Sequence, residues 1–272
     1  MKKIKYILLL AVLFTLGACQ RSQEERSRIL KIYNWADYID EDVLAEFPEW
    51  YKEQTGEDIE IIYQVFDINE IMLTKIERGH EDFDVVCPSE YIIERMMRKD
   101  MLLPINRNFG DTPDYIHNLA PYIQDELNKM CMDERKVTDY AVAYMWGTAG
   151  VLYNKALVSE EEAIACRSLW DPKFANKILM KDSYRDCYGL AIIYANADRL
   201  QKGEVTVEQL MNDNSAEAIA TAEEYLKKMK PNIAGWEADF GKEMMTKGKA
   251  WMNFTWSGDA VWSIEEADAV GV

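Results

Sequence analysis

Residues 29–66 read ILKIYNWADYIDEDVLAEFPEWYKEQTGEDIEIIYQVF, and this stretch decides the fold. Residues 29–34 have the composition of a β-strand. Apolar residues then recur at helical spacing from Val43 to Tyr51, and Gly56 is a typical helix stop. Residues 59–65 again predict a strand. A strand, a helix and a second strand in so short a span indicate an α/β fold with a parallel sheet.

The same alternation continues outward from this stretch. A helix is predicted for residues 69–78 with a stop at Gly79, a short strand for 83–86 and a helix for 91–99. Residues 140–146 and 151–154 are two further extended segments. Because linking segments between α/β units can absorb backbone rotation, we expect a hinge there. The remaining predictions are mainly helices over 159–230, a strand over 249–255 and a helix over 258–267.

The N-terminus has the character of an export signal. A basic segment at residues 2–5 precedes an apolar run at 7–16, which is too short to span a bilayer comfortably. Leu16-Gly17-Ala18-Cys19 resembles the bacterial lipobox, which predicts removal of residues 1–18 and lipidation of Cys19. Residues 19–28 would then form a lipidated tether. The expected location is the periplasm or cell envelope, with the lipid as the membrane anchor; an ordinary signal peptide with a chance cysteine is the alternative.

The charge of the chain argues against one class of partner. The formal net charge is −17, and it becomes −20 without residues 1–18, which carry three lysines and no acid. A surface so acidic argues against nucleic acid as a partner, whereas it attracts cations modestly. Simple solubility explains the charge equally well.

Catalytic and metal-binding signatures are missing from the sequence. We find no Gly-x-Ser-x-Gly, no Gly-x-x-x-x-Gly-Lys and no Gly-x-Gly-x-x-Gly. The two histidines, His80 and His117, are far apart, and no cysteine pair has Cys-x-x-Cys spacing. We therefore expect no enzyme activity, no metal and no cofactor. Disulfide pairing cannot be assigned from spacing, and scattered cysteines are more often small buried apolar residues.

Aromatic residues stand beside carboxylates at four predicted strand ends. The four segments are Tyr33–Tyr38, Pro88–Tyr91, Asp182–Asp186 and Trp256–Asp259. Ligands of open α/β sheets bind at the carboxyl ends of strands, so four such loops could meet in one cleft. Each aromatic residue alone has core packing as its commoner role, and each aspartate alone could be a helix N-cap, Asp182 above all.

This chemistry suits a flexible ligand with positive ends. An aromatic face attracts an ammonium group by roughly 0.5–2 kcal/mol. It also covers the alkyl chain, at roughly 0.8 kcal/mol for each buried CH₂ group. Each desolvated ammonium group needs a carboxylate partner. The pattern therefore favours a small polycationic ligand.

At these positions the chain resembles a known family. The matching motifs, in order, are Tyr33-Asn34-Trp35 followed by an acid and Tyr38, Phe83-Asp84-Val85-Val86 before Pro88-Ser89, Tyr144-Met145-Trp146-Gly147, Leu169-Trp170-Asp171-Pro172 and Trp256-Ser257-Gly258-Asp259. They resemble the spermidine/putrescine-binding proteins of bacterial ABC importers over about residues 29–265. The resemblance implies a two-lobed periplasmic-binding-protein fold of type II, each lobe a sheet covered by helices. It places lobe 1 at 29–142, lobe 2 at 143–255 and a return toward lobe 1 at 256–272.

The resemblance also implies roles for single residues. Aromatic walls of the ligand site would be Trp35, Tyr38, Tyr91 and Trp256, the amine-binding carboxylates Asp37, Asp186 and Asp259, and the polar contact Ser89. Ser183 is a further site position, because some spermidine-preferring relatives carry an acid there; the serine is closer to the putrescine-preferring branch. Ala36 replaces a hydroxyl residue that is usual in the family. The family also continues past the position of Val272, so the C-terminal part of lobe 1 is expected to be missing from this chain.

The sequence thus predicts a non-catalytic polyamine-binding protein that delivers putrescine or spermidine to ABC permease subunits. One alternative keeps the fold and changes the ligand to an amino acid, a sugar or a metal complex. Another is an extracytoplasmic glycoside hydrolase that uses two of the acids.

Overall fold

The structure, a computed structural model, describes residues 25–79 and 81–270. The predicted signal peptide and Cys19 lie outside the described residues. The chain divides into two compact units, Met1–Tyr144 and Met145–Val272, which we call the first and the second unit. In the described part of the chain, no helix combines the length and the apolar character that crossing a membrane requires.

The first unit is built on a parallel three-stranded sheet. Its elements are β1 (Ile29–Trp35), α1 (Glu41–Thr55), β2 (Glu60–Phe66), α2 (Asn69–Gly79), β3 (Val85–Val86) and α3 (Glu90–Arg98). The strand order is β2-β1-β3, and both pairs are parallel. The predicted alternation of strands and helices is therefore confirmed, although β3 is shorter than expected.

Local signals in the sequence set the ends of α1. The side chain of Asp40 accepts a hydrogen bond of 3.0 Å from the backbone N of Asp42, as an N-cap does. Gly56 ends the helix in the left-handed conformation at φ 76°, which glycine adopts without steric cost. Behind the sheet, Tyr33, Phe66, Met72, Leu73, Ile92 and Met96 form the buried core.

The remainder of the first unit contains α4 (Pro121–Lys129), a short hairpin of β4 (Cys131–Met132) and β5 (Arg135–Lys136), and a 3₁₀ turn at Val137–Asp139. The strand predicted over residues 140–146 is wrong. Residues 141–148 form no helix or strand, and Tyr144, Met145 and Trp146 are 48%, 56% and 67% exposed. Their apolar character therefore does not come from burial in a sheet; they belong to the connection between the units.

The second unit has a four-stranded mixed sheet. Its elements are β6 (Ala149–Tyr153), α5 (Glu160–Ala163), β7 (Ile178–Lys181), α6 (Tyr184–Ala195), α7 (Ala197–Gln201), α8 (Val207–Asn212), α9 (Ala216–Met229), β8 (Ile233–Glu237), α10 (Gly241–Thr246), β9 (Met252–Trp256) and α11 (Ser257–Val270), with 3₁₀ turns at Ile164–Trp170, Pro172–Phe174 and Lys230–Asn232. The strand order is β6-β9-β7-β8. β7 runs parallel to both β8 and β9, whereas β6 is antiparallel to β9.

Strand β7 lies at the centre of this unit, and all four of its residues are buried. Because β7, β8 and β9 are parallel, their last residues lie at the same edge of the sheet. Those residues are Lys181, Glu237 and Trp256. The helix that follows β9 is grouped with the second unit, and the return of residues 256–272 toward lobe 1 stays a prediction.

Candidate ligand-binding site

The carboxyl edge of the second sheet brings together two residues that are 70 positions apart. Trp256 ends β9, and its Nε1 donates a hydrogen bond of 2.9 Å to Oδ2 of Asp186 in the first turn of α6. Ser183 is the N-cap of that helix, and its Oγ accepts a hydrogen bond of 3.4 Å from the backbone N of Asp186. The indole therefore orients a partly buried carboxylate at a helix N-terminus.

A buried lysine stands beside this pair. Lys181 is 2% exposed, and its Nζ lies 2.9 Å from Oδ2 of Asp259 and 3.7 Å from Oε2 of Glu237. It also donates a hydrogen bond to the backbone O of Ala238. The same Nζ lies 4.1 Å from the centroid of the Trp256 ring. A cation held over an indole face is an attractive arrangement, and it is stronger where water is excluded.

The two acids of this cluster have additional support. Asp259 accepts a hydrogen bond of 3.4 Å from the Thr255 hydroxyl. Glu237 accepts one of 3.1 Å from the backbone N of Gly241 and one of 3.3 Å from Nδ2 of Asn253. Buried charges need such partners, since leaving one unpaired costs several kcal/mol, on the order of 3–5.

In the first unit, one asparagine connects two of the predicted site residues. Asn69 is buried at the start of α2, and its Nδ2 donates hydrogen bonds of 2.9 Å to Oγ of Ser89 and 3.0 Å to the hydroxyl of Tyr91. Its Oδ1 accepts one of 3.1 Å from the backbone N of Ser89. Ser89 is the N-cap of α3, yet its side chain makes no cap hydrogen bond. Its hydroxyl is held by Asn69 instead.

Tyr91 is anchored on its other side by an acid. Its hydroxyl donates a hydrogen bond of 3.0 Å to Oε1 of Glu70. Burial, and secondarily the charge of Glu70, raise the pKa of the Tyr91 hydroxyl well above its usual value. Tyr91 therefore remains a neutral phenol near neutral pH.

The three predicted site residues at the end of β1 and in the loop after it, Trp35, Asp37 and Tyr38, have different surroundings. The Trp35 ring packs on Phe66 with 4.6 Å between centroids, and both Trp35 and Tyr91 pack against the core of the first unit. Asp37 is exposed and has a left-handed backbone at φ 58°. The backbone O of Tyr38 accepts a hydrogen bond from the hydroxyl of Tyr144. The loop after β1 is thus fixed partly through its backbone.

The structure therefore brings the predicted residues into a set in each unit. Asp186 and Trp256 are in direct contact, and Ser89 and Tyr91 share Asn69. The carboxylate of Asp259 is paired with Lys181, whose Nζ lies over the same Trp256 ring, so the role of Asp259 toward a ligand stays a prediction.

Four residues of these sets were missed in the sequence. Asn69 and Glu70 follow β2, whose loop carries no aromatic residue to draw attention to it. Trp236 and Glu237 form an aromatic–acid pair like those that marked the other loops. The pair was missed because β8, which it ends, was not predicted as a strand. Lys181 follows three apolar residues, and nothing in the sequence distinguishes it from a lysine at an exposed strand end.

Among residues 25–79 and 81–270, no group of three or more histidines, cysteines or acids could hold a metal ion. The four cysteines in this part of the chain are free thiols, and they differ in exposure: Cys187 is buried, Cys87 and Cys166 are half-buried and Cys131 is exposed. The sequence predicts that scattered cysteines are buried as small apolar residues, and of these four Cys187 is fully buried.

Comparison with known proteins assigns the family. The profile of the bacterial extracellular solute-binding proteins matches residues 49–272, which is most of the chain. The chain belongs to this family. The family is one of solute-binding proteins and not of enzymes, in agreement with the prediction from the missing catalytic motifs.

Proteins similar to this chain include several that are named for polyamine binding. The chain is 27% identical over 261 residues to the spermidine/putrescine-binding periplasmic protein of Salmonella typhimurium, which covers 96% of this chain and 67% of the relative. It is 28% identical over 242 residues to the putrescine-binding periplasmic protein PotF of Escherichia coli, with 86% and 60% covered.

Solved structures agree with the predicted fold. The spermidine/putrescine ABC transporter substrate-binding protein PotD of Streptococcus pneumoniae is 29% identical, with a TM-score of 0.60 over 89% of this chain and 66% of that one. A lipoprotein of Treponema pallidum is 21% identical, with a TM-score of 0.66 over 86% and 66%, and shows the fold alone. The periplasmic-binding-protein fold is thus confirmed, and the chain spans about two thirds of the length of these relatives.

Proposed function

We propose that the chain captures a polyamine outside the cytoplasm and delivers it to the permease subunits of an ABC importer. The observation that carries this proposal is the contact between Asp186 and Trp256: a carboxylate is held by an indole N–H whose ring already lies 4.1 Å from an ammonium group. This contact supports a cation as the ligand of the second unit. The similarity to spermidine/putrescine-binding and putrescine-binding proteins supports a polyamine as the ligand.

The first unit holds a separate set of predicted site residues. Trp35 and Tyr91 offer aromatic surface for an alkyl chain, and Ser89 offers a hydroxyl that Asn69 holds in place. Asp37 and Tyr38 remain in the proposal through the family resemblance. A solute-binding protein needs no acid–base pair, so the carboxylates serve as counter-ions.

Calorimetric titration of the protein with putrescine and with spermidine tests the proposal. We expect saturable binding of at least one of them, and no heat and no thermal shift with either would reject it. A panel of amino acids, sugars and metal complexes in the same thermal-shift assay tests the alternative ligands of the same fold.

Asp186→Asn is the decisive variant. The loss of a desolvated charge pair should weaken polyamine binding by about 2–5 kcal/mol. Asp182→Asn, four positions earlier and just before the N-cap of α6, is the matched control and should leave the affinity nearly unchanged. Equal affinity of Asp186→Asn and the wild type would remove Asp186 from the site.

We also propose that Cys19 is the lipid attachment site and that the protein is held at the cell envelope by this anchor. The proposal is supported by the lipobox resemblance of Leu16-Gly17-Ala18-Cys19. Metabolic labelling with a radioactive fatty acid tests it: the wild type should incorporate label, and Cys19→Ser should not. A labelled Cys19→Ser variant would place the lipid elsewhere.

A further inference from the structure

The feature that carries a further inference is the position of Lys181. Its side chain leaves the central strand of the second sheet at the edge where β8 and β9 also end. There its ammonium group makes three kinds of contact: an ion pair of 2.9 Å with Asp259, a hydrogen bond to a backbone oxygen and a position 4.1 Å from the centroid of Trp256. These are the contacts expected for an ammonium group of a bound ligand.

Lys181 and its neighbours are almost completely shielded from water. The side chains of Lys181, Glu237 and Asp259 are 2%, 1% and 8% exposed. A mobile surface lysine could move aside when a ligand arrives, but this one is enclosed among two acids and an indole. The protein thus supplies this cation itself.

The carboxylates near Trp256 have different partners. Those of Glu237 and Asp259 form ion pairs with Lys181, whereas that of Asp186 accepts the hydrogen bond of the Trp256 Nε1–H. Glu237 receives two neutral N–H donors in addition. Asp186 is half-buried and has the neutral Nε1–H of Trp256 as a partner, so its negative charge is available to one incoming ammonium group.

We propose that Lys181 is a specificity-determining residue: it fills the ammonium position on Asp259 and Trp256 from inside the protein, so the second unit accepts a single ligand ammonium group, at Asp186. This inference rests on the proposed polyamine function. A second ligand ammonium would have to enter beside a cation that already occupies the ring face and the acid, and like charges at that distance repel in a site of low dielectric constant. The preferred ligand is therefore a diamine and not a triamine.

The test compares putrescine with spermidine by calorimetry on the full chain and two variants. Lys181→Gln keeps a hydrogen-bond donor toward Asp259 but removes the charge. We expect it to shift the ratio of the two affinities at least tenfold toward spermidine, because the positive charge that repels a second ligand ammonium group is then gone. The wild type should prefer putrescine.

Lys177→Met is the matched control. Lys177 directly precedes the same strand at its opposite end, and its Nζ also lies over an indole, 5.1 Å from the centroid of Trp251. This variant should keep the wild-type ratio. A ratio in Lys181→Gln that equals the wild-type ratio would overturn the proposal and leave Lys181 as a structural residue.

A second measurement does not depend on the polyamine function. Lys181→Ala opens the space of the lysine side chain, and its melting temperature is measured with n-butylammonium and with the neutral n-butanol. We expect butylammonium, and not butanol, to give Lys181→Ala a larger saturable stabilisation than it gives the wild type, in which the lysine fills this position; if the variant unfolds, butylammonium should restore its folding. Absence of both effects would refute an ammonium position at Lys181. If the wild type binds neither polyamine, the proposed function fails, while this measurement still decides the role of Lys181.

Discussion

Gly241 lies so close to Glu237 that a Cβ atom built on it would stand 2.4 Å from the carboxylate carbon of Glu237. The same Cβ would stand 2.5 Å from Nδ2 of Asn253, which also contacts that carboxylate. The absence of a side chain at position 241 therefore lets the backbone N of Gly241 reach Glu237 at 3.1 Å. Glycine is required here for close approach.

Gly241→Ala should accordingly destabilise the protein by about 1–3 kcal/mol, the usual cost of overpacking a filled interior. Urea denaturation measures the change. The control is Gly150→Ala, because a Cβ at Gly150 would meet nothing within 4 Å. If both variants unfolded at the same urea concentration, the close contact with Glu237 would not make glycine necessary at position 241.

A second prediction concerns the indole of Trp256. Trp256→Phe keeps an aromatic ring but removes the Nε1–H that orients Asp186. We expect about tenfold weaker putrescine binding, equivalent to about 1.4 kcal/mol, in calorimetric titrations. Trp251→Phe, whose ring packs on Phe174 with 6.4 Å between centroids, should bind as the wild type does. A Trp256→Phe variant of wild-type affinity would contradict the proposed role of the hydrogen bond.

Asn69 gives a third prediction, in the first unit. Asn69→Ala leaves the backbone N of Ser89 and the hydroxyls of Ser89 and Tyr91 without their shared partner. We expect a loss of about 1–3 kcal/mol of unfolding free energy. Tyr91→Phe removes one hydroxyl and should cost less, about 0.5–1.5 kcal/mol.

The exposed residue Asn128, on α4, serves as the control for Asn69. Asn128→Ala should change the unfolding free energy by less than either variant. A loss in Tyr91→Phe that equalled or exceeded the loss in Asn69→Ala would show that Asn69 does not organise the pair.

The cysteines provide a prediction on thiol reactivity. Burial raises the pKa of the Cys87 thiol to about 11 and that of Cys187 to about 12. Because the thiolate is the reactive form, a raised pKa keeps both thiols unreactive near neutrality. In a Cys19→Ser chain at pH 8, a maleimide dye should modify the exposed Cys131 first, and the variant Cys131→Ser should lose that fast phase. Labelling of Cys187 as fast as Cys131 would contradict its burial.

The first sheet was predictable because its signals are local. Strand composition at residues 29–34, helical spacing and Gly56 are read directly from neighbouring residues, and the structure forms β1, α1 and β2 there. The segment 140–146 misled the prediction, since exposed aromatic residues of a connection have the same composition as a buried strand. Strand β8 was missed because two of its five residues, an alanine and a glycine, are weak strand formers.

The candidate site was predictable only in part. Aromatic–acid pairs at strand ends identified Trp256 and Asp186, which do meet. Their partner Lys181 could not be found in the same way, because its contacts with Glu237 and Asp259 span 56 and 78 positions and depend on the order of strands in the sheet. Such long-range charge pairing is a property of topology, and no local pattern encodes it.

The enclosure of Lys181 between two acids also constrains how this protein can evolve. Losing the lysine alone would leave Glu237 and Asp259 in the interior without their shared cation, whereas replacing Lys181 and Asp259 together by neutral residues would keep the net charge of the cluster unchanged. Descendants with a new ligand preference are therefore expected to carry compensated double replacements at positions 181 and 259, inherited as a linked pair.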